Sequence, residues 1–213
     1  MFFWGKRSSD SSSENGHALV DLGLSVKWAT CNLGASSPDQ RGNYFSWGET
    51  SVKNRYDWDT YRMCRGSQYT LTEYNTDSHS GRVDNQTTLG SSYDVAKIKW
   101  GGNWRMPTPK ECSELVSRCR WEQYRGASQG NPAVFKIIGP SGNFILLPTT
   151  GVQFGDAEEY PMDCGSSGFY WANSIDPGYP QFAYGIGIDF HQNAIVFDRD
   201  YRCFGRPVRP VCR

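Results

Sequence analysis

At 213 residues the chain is long enough to bury one sizeable core, and its 22 Lys and Arg balance 22 Asp and Glu. A net charge of zero argues against nucleic-acid binding, which calls for a basic stripe, and no apolar run approaches the roughly 20 residues that span a bilayer. Aromatic residues make up 15% of the chain, with 8 Trp and 12 Tyr, and such side chains serve cores and binding faces alike.

In chain order, residues 1–16 begin with a short apolar run and continue through Lys6, Arg7 and a Ser-rich stretch, which reads as a flexible leader. The domain is expected to occupy residues 17–213. Leu19–Gly23 and Val26–Trp28 suggest a strand, a turn and a short strand. Residues 36–90 are turn-rich, and Tyr44, Phe45, Trp47, Tyr56, Trp58 and Tyr61 are expected to pin long loops. Ser91 or Ser92 can cap a short helix to about Lys99, with Val95 and Ile98 turned inward. A second helix is clearer. Thr108 is its N-cap, Pro109 its first residue and Glu111 the partner in a capping box, with Cys112, Leu115, Val116 and Cys119 on one apolar face.

The remainder reads as β. Val134–Ile138 and Asn143–Leu147 flank the hairpin signal Gly139-Pro140-Ser141-Gly142, and strands follow at 169–174, 182–190, 194–198 and 207–212. Strands, two helices and a run of antiparallel strands make the fold class α+β. The seven cysteines contain no Cys-x-x-Cys pair, which speaks against zinc. Cys112 and Cys119 stand two helical turns apart, about 10 Å by helix rise and too far for a disulfide, so buried reduced thiols are expected.

From Phe182 to Phe190, Tyr184, Ile186, Ile188 and Phe190 alternate with Ala183, Gly185, Gly187 and Asp189. The period of two puts large apolar groups on one sheet face and small or polar ones on the other. That second face is either an open recognition surface or the solvated side of an ordinary strand. The turn His191-Gln192-Asn193 and the loop Asp198–Arg202 add charge, an aromatic and hydrogen-bonding groups, a mixture suited to adaptable recognition. Catalytic patterns are absent: the three His have no metal-ligand spacing, and no nucleophile elbow, phosphate loop or dinucleotide fingerprint occurs. Asp57, Asp59, Asp84 and Asn85 are candidate calcium ligands in loops; otherwise no cofactor is expected.

The block Val20-Asp21-Leu22-Gly23-Leu24-Ser25-Val26-Lys27-Trp28-Ala29-Thr30-Cys31-Asn32 is similar to the start of a paralogous domain family of Bacteroidetes-type bacteria. Tyr44–Glu49, Trp100–Thr108 and Val208–Cys212 continue the likeness in order to the end of the chain. Such domains resemble the C-type-lectin-like fold in the version shared with formylglycine-generating enzymes. The resemblance implies two helices packed on antiparallel sheets, paired N- and C-terminal strands, and a ligand face built by the late strands.

A narrower likeness is to the variable proteins of diversity-generating retroelements, in which adenine-directed mutation of chosen codons diversifies late strands on a constant scaffold. Residues 173–206 resemble such a region. On that reading the outward, exchangeable positions are Asp176, Gly178, Tyr179, Gly185, Gly187, Asp189, His191, Asn193, Asp198, Asp200, Tyr201 and Cys203. Tyr184, Ile186, Ile188, Phe190 and Ile195 would hold the scaffold. The implied function is a receptor- or adhesin-like module at a cell surface or on a virion. Its partner would be a protein or glycan on another cell or surface, with no nucleic acid and no direct membrane insertion. Two alternatives are a formylglycine-generating-type oxidase, with Cys203 and Cys212 as the only late thiol pair, and a structural surface or virion component. The calcium-holding tripeptides of sugar-binding C-type lectins are missing, and Trp171-Ala172-Asn173-Ser174 lacks their final acid.

Overall fold

The computed structural model describes residues 12–124, 133–159 and 161–213. In chain order it contains β1 (Ser13–Glu14), β2 (His17–Val20), β3 (Lys27–Ala29) and β4 (Arg55–Tyr56), then α1 (Val95–Trp100) and α2 (Pro109–Arg118). There follow β5 (Arg120–Tyr124), β6 (Val134–Ile138), β7 (Phe144–Pro148), β8 (Gly155–Asp156), β9 (Ser167–Asp176), β10 (Tyr179–Asp189), β11 (Ala194–Tyr201) and β12 (Val211–Cys212). These strands pair antiparallel in sheets ordered β1-β2-β3-β12, β5-β6-β7, β11-β10-β9 and β4-β8. With two helices among antiparallel sheets, the fold is α+β. β12 lies against β3, with Val211 opposite Trp28, so the late and early ends of the domain close on each other.

Local chemistry explains several elements. Thr108 accepts from the Glu111 N–H while the Glu111 carboxylate accepts from the Thr108 N–H, and Pro109 follows the cap, so α2 starts as its sequence dictates. Cys112 and Leu115 are buried along its inner face. For α1 the expected cap is corrected. Asp94, not Ser91 or Ser92, accepts from the N–H of Ala96 and Lys97, and it also receives the Met106 N–H. Val95 is buried as expected, together with Ala96, whereas Ile98, expected inward, is 52% exposed. The expected leader boundary also moves. Asn15-Gly16, both at positive φ, turn β1 back on β2, and Trp104 Nε1 donates to the Glu14 carbonyl at 2.7 Å. Residues 1–11 of that leader lie outside the described residues. β5 was not anticipated; it extends the β6-β7 hairpin to three strands.

The β9-β10-β11 sheet separates two apolar clusters. On one side Tyr170, Ile186, Ile188 and Ile195 meet Cys112 and Leu115 of α2 and Phe135, Ile137, Ile145 and Leu147 of the β6-β7 hairpin. On the other, Trp171, Ile175 and Ala183 meet Phe45, Trp47, Tyr61, Met63 and Tyr74 of the long loops. Those loops are pinned by aromatics as expected. Trp171 Nε1 donates to the Phe45 carbonyl at 2.8 Å and Trp47 Nε1 to the Ala172 carbonyl at 2.9 Å.

Arg202 and Arg209, two of three buried arginines among the described residues, complete the scaffold. Arg202 donates to Tyr61 Oη and to the carbonyls of Tyr74, Pro180 and Glu73, beneath the rings of Trp47 and Tyr61. Arg209 donates to Asn32 Oδ1 and to the carbonyls of Ala29, Thr30 and Leu146, and burial lowers its pKa to about 10. Such dense hydrogen bonding offsets the cost of burying the two charges. Asn32 lies near the start and Arg209 near the end of the domain, and their hydrogen bond helps to close it.

Candidate ligand-binding face

Alternation along β10 is real, but Gly185 and Gly187 on its small-residue side are buried, and the accessible side chains of β11 are divided between the faces, Phe197 and Arg199 on one and Val196 on the other. The cross-strand pairs Tyr184–Arg199, Ile186–Phe197 and Ile188–Ile195 share one face, and Ala183–Asp200, Gly185–Asp198 and Gly187–Val196 share the other. The glycine side carries the long loops. Gly185 is buried, and a Cβ there would meet the Tyr170 carbonyl oxygen, with Arg206 Nη1 at 3.6 Å. Gly187 is buried between Val196 and Asp198, whose nearest atoms would stand 3.3 and 3.4 Å from an added Cβ. The expectation that both glycines floor an accessible face is therefore corrected, because the segment around Phe45 and the chain from Arg202 to Arg206 fold onto that side.

Cys203 is likewise corrected, being fully buried in the loop-side cluster. Asp176 is buried too. It accepts from the Gly178 N–H at 2.8 Å and pairs with Arg199, so it fixes the β9–β10 turn and holds the guanidinium. Asp189, half-buried, accepts from the N–H groups of His191 and Gln192 and thereby caps the β10–β11 turn. Asp198 and Asp200 straddle Arg206, whose side chain is only 1% exposed and lies 4.6 Å from the ring centroids of Phe169 and Trp171.

Gly178, Tyr179, His191 and Asn193 are exposed, but they sit at opposite ends of β10. Ten steps of about 3.3 Å separate those ends by roughly 33 Å, so the four do not form one site.

A different set does come together. Beyond the edge of α2, the Tyr184 side of the sheet continues into solvent. Tyr184 stacks on Phe197 at 5.0 Å, and Phe182 stacks on Tyr201 at 4.5 Å. Between these pairs Arg199 lies 4.8 Å from the Tyr179 ring centroid and 5.5 Å from that of Phe182. Tyr179 is 54% and Phe197 40% exposed. Burial and the neighbouring Asp176 carboxylate raise the Tyr184 phenol, which stays a neutral hydrogen-bonding group at physiological pH. The sequence singles out Tyr179 and Tyr201, gives Tyr184 both as scaffold and as a neighbour of the ligand contacts, and includes Arg199 only within the loop Asp198–Arg202; Phe182 and Phe197 are missed. The signal was present in β11, where Phe197 and Arg199 alternate with Val196 and Asp198.

The calcium candidates do not gather. Asp57 accepts from the Thr60 N–H and hydroxyl, and Asp84 from the N–H groups of Tyr74, Asn75 and Gln86. Among the described residues no group of three or more His, Cys, Asp or Glu is placed to hold a metal ion. Cys203 lies in the loop-side cluster and Cys212 in a third, smaller cluster with Leu19, Ala29 and Trp104, and burial raises the pKa of both thiols. No helix among the described residues is long and apolar enough to cross a membrane.

Comparison with protein-family models, with curated proteins and with solved structures gave no match.

Proposed function

We propose that the chain is a receptor- or adhesin-like binding module of C-type-lectin-like architecture. On this reading it engages a protein or glycan through the aromatic face formed by Tyr179, Phe182, Tyr184, Phe197 and Arg199. The observation that carries the reading is the ordered ring–guanidinium ladder left in solvent beside α2. Aromatic side chains offer large contact area at low entropic cost, and arginine adds directional hydrogen bonds, the composition of interface anchors.

The resemblance to retroelement-diversified proteins adds that exchange would concentrate in residues 173–206. The geometry narrows the tolerant set to exposed positions such as Gly178, Tyr179, His191 and Asn193, and it disfavours Gly185 and Cys203. The oxidase alternative draws no support from two separated, buried thiols.

The test is selection of ligands for the purified protein from a displayed random-peptide library and an immobilised glycan panel. Selected ligands should lose about tenfold or more in affinity against Phe197→Ala or Arg199→Ala, a change of about 1.4 kcal/mol or more, with the melting temperature nearly unchanged. Ligands that bind wild type and both variants equally would overturn the assignment of this face.

A further inference from the structure

The two outer edges of the β9-β10-β11 sheet are treated differently by the fold. β9 is covered along its length. Ile175 donates to the Thr87 carbonyl, Asn173 to Pro107 and Trp171 to Pro207, while the Asn173 carbonyl receives Leu89. β11 is the other edge, with β10 as its one strand neighbour. The Arg202 N–H donates to the Gln181 carbonyl, which sets the phase of the β10–β11 ladder. By the antiparallel alternation, residues 194, 196, 198 and 200 bond inward, and the N–H and C=O groups of Ile195, Phe197 and Arg199 point away from the sheet. Among the described residues no backbone group pairs with these three from outside. Val196 is 49% and Phe197 40% exposed, whereas Ile195 is buried, so the accessible side chains flank the Phe197–Arg199 part of the row.

We infer that β11 is a docking edge for an extended segment of a partner polypeptide, which adds to the sheet as a fourth strand. This inference rests on the binding role proposed above and names its ligand class. A row of alternating donors and acceptors at strand spacing is matched by another extended backbone. Charge specifies the rest. On the glycine side Asp198 and Asp200 share the single cation Arg206, leaving one net negative charge there. On the other side Arg199 is already paired with Asp176, beside Phe197 and Tyr184. The complementary strand therefore carries lysine or arginine on the Asp198 side and apolar or aromatic residues on the Phe197 side. A second copy of β11 fits poorly, because the same side of both strands would be acidic.

The experiment uses the full chain and a capped heptapeptide in which lysine alternates with valine and phenylalanine. A second peptide carries N-methyl groups on the backbone nitrogens of its pairing edge. Residue-resolved amide exchange is followed with and without peptide. The inference expects the amides of Ile195, Phe197 and Arg199 to gain about tenfold or more protection on binding, those of Val196 and Asp198 to change little, and N-methylation to abolish both binding and protection. Equal binding of the two peptides, with loss in Phe197→Ala, would overturn strand addition while leaving the aromatic face as a binding surface. No binding of either peptide would overturn the inference. So would protection of the same three amides that rises with protein concentration in the absence of peptide, since the occupant would then be a second copy.

Discussion

The carbonyl oxygen of Tyr170 occupies the space that a β-carbon on Gly185 would need. The obstacle is backbone of the neighbouring strand, so it cannot rotate aside, and the bulge between Ala183 and Gly185 depends on that close approach. Gly185→Ala is expected to destabilise the domain by about 3 kcal/mol, the upper range for overpacking a well-filled site. Gly187→Ala meets only the Val196 and Asp198 side chains, at 3.3 and 3.4 Å, and is expected to cost less than about 1 kcal/mol. Urea unfolding of both variants checks the pair; equal stabilities would refute the packing described for the glycine side.

Thiol accessibility provides a second check. Cys112, Cys119, Cys203 and Cys212 are buried, whereas Cys31, Cys64 and Cys164 are partly accessible. Burial raises Cys112 and Cys203 strongly and Cys119 to about 11, so these thiols carry little reactive thiolate at pH 8. An aromatic disulfide reagent should label no more than three thiols in the folded protein and all seven in denaturant. Cys64 should be the slowest of the three, since its own pKa is raised by burial and its thiol lies against the Trp58 and Tyr61 carbonyls. Prompt labelling of Cys203 would contradict its position in the core.

Acid should weaken the start of α2. Burial by itself would raise the Glu111 pKa, but the Arg105 guanidinium and the Thr108 N–H outweigh it and hold the carboxyl below its ordinary 4.5. A depressed carboxylate contributes stability that is fully present above the unfolded-state pKa and lost as pH falls through the folded-state value. Wild-type stability should therefore decline below about pH 4.5. Glu111→Gln is expected to cost about 1–2 kcal/mol at pH 7 and to shrink that decline, because the charged partner is gone. Denaturation midpoints between pH 7 and pH 3 measure both effects; an unchanged acid slope in the variant would refute the role given to Glu111.

What could be read from the sequence was what neighbouring residues decide. The Thr108–Glu111 capping box, the turn Gly139–Gly142 and the alternation through Tyr184, Ile186 and Ile188 each state their local structure within a few positions. The start of α1 misled because Ser91, Ser92 and Asp94 are all competent caps, and what favours Asp94 is a distant group, the Met106 N–H. Asn15-Gly16 carried a legible hairpin signal that the surrounding serines obscured. The accessible side of β10 was beyond local reading altogether. It is set by where Phe45, Trp47 and Arg206 come to rest, contacts made across more than a hundred residues or through a loop return. Gly185 and Gly187, expected to floor an open face, are consequently buried.

One three-stranded wall serves both apolar clusters, with Tyr170 and Ile186 looking one way and Trp171 and Ala183 the other. Neither half can melt and leave its neighbour intact, because losing the shared partition removes a surface from each. The shared wall predicts that the two clusters unfold together, which coincident transitions of Trp fluorescence and far-UV circular dichroism would show. Side chains on the exposed rim, such as Tyr179, belong to neither cluster, so exchange there leaves the partition itself intact.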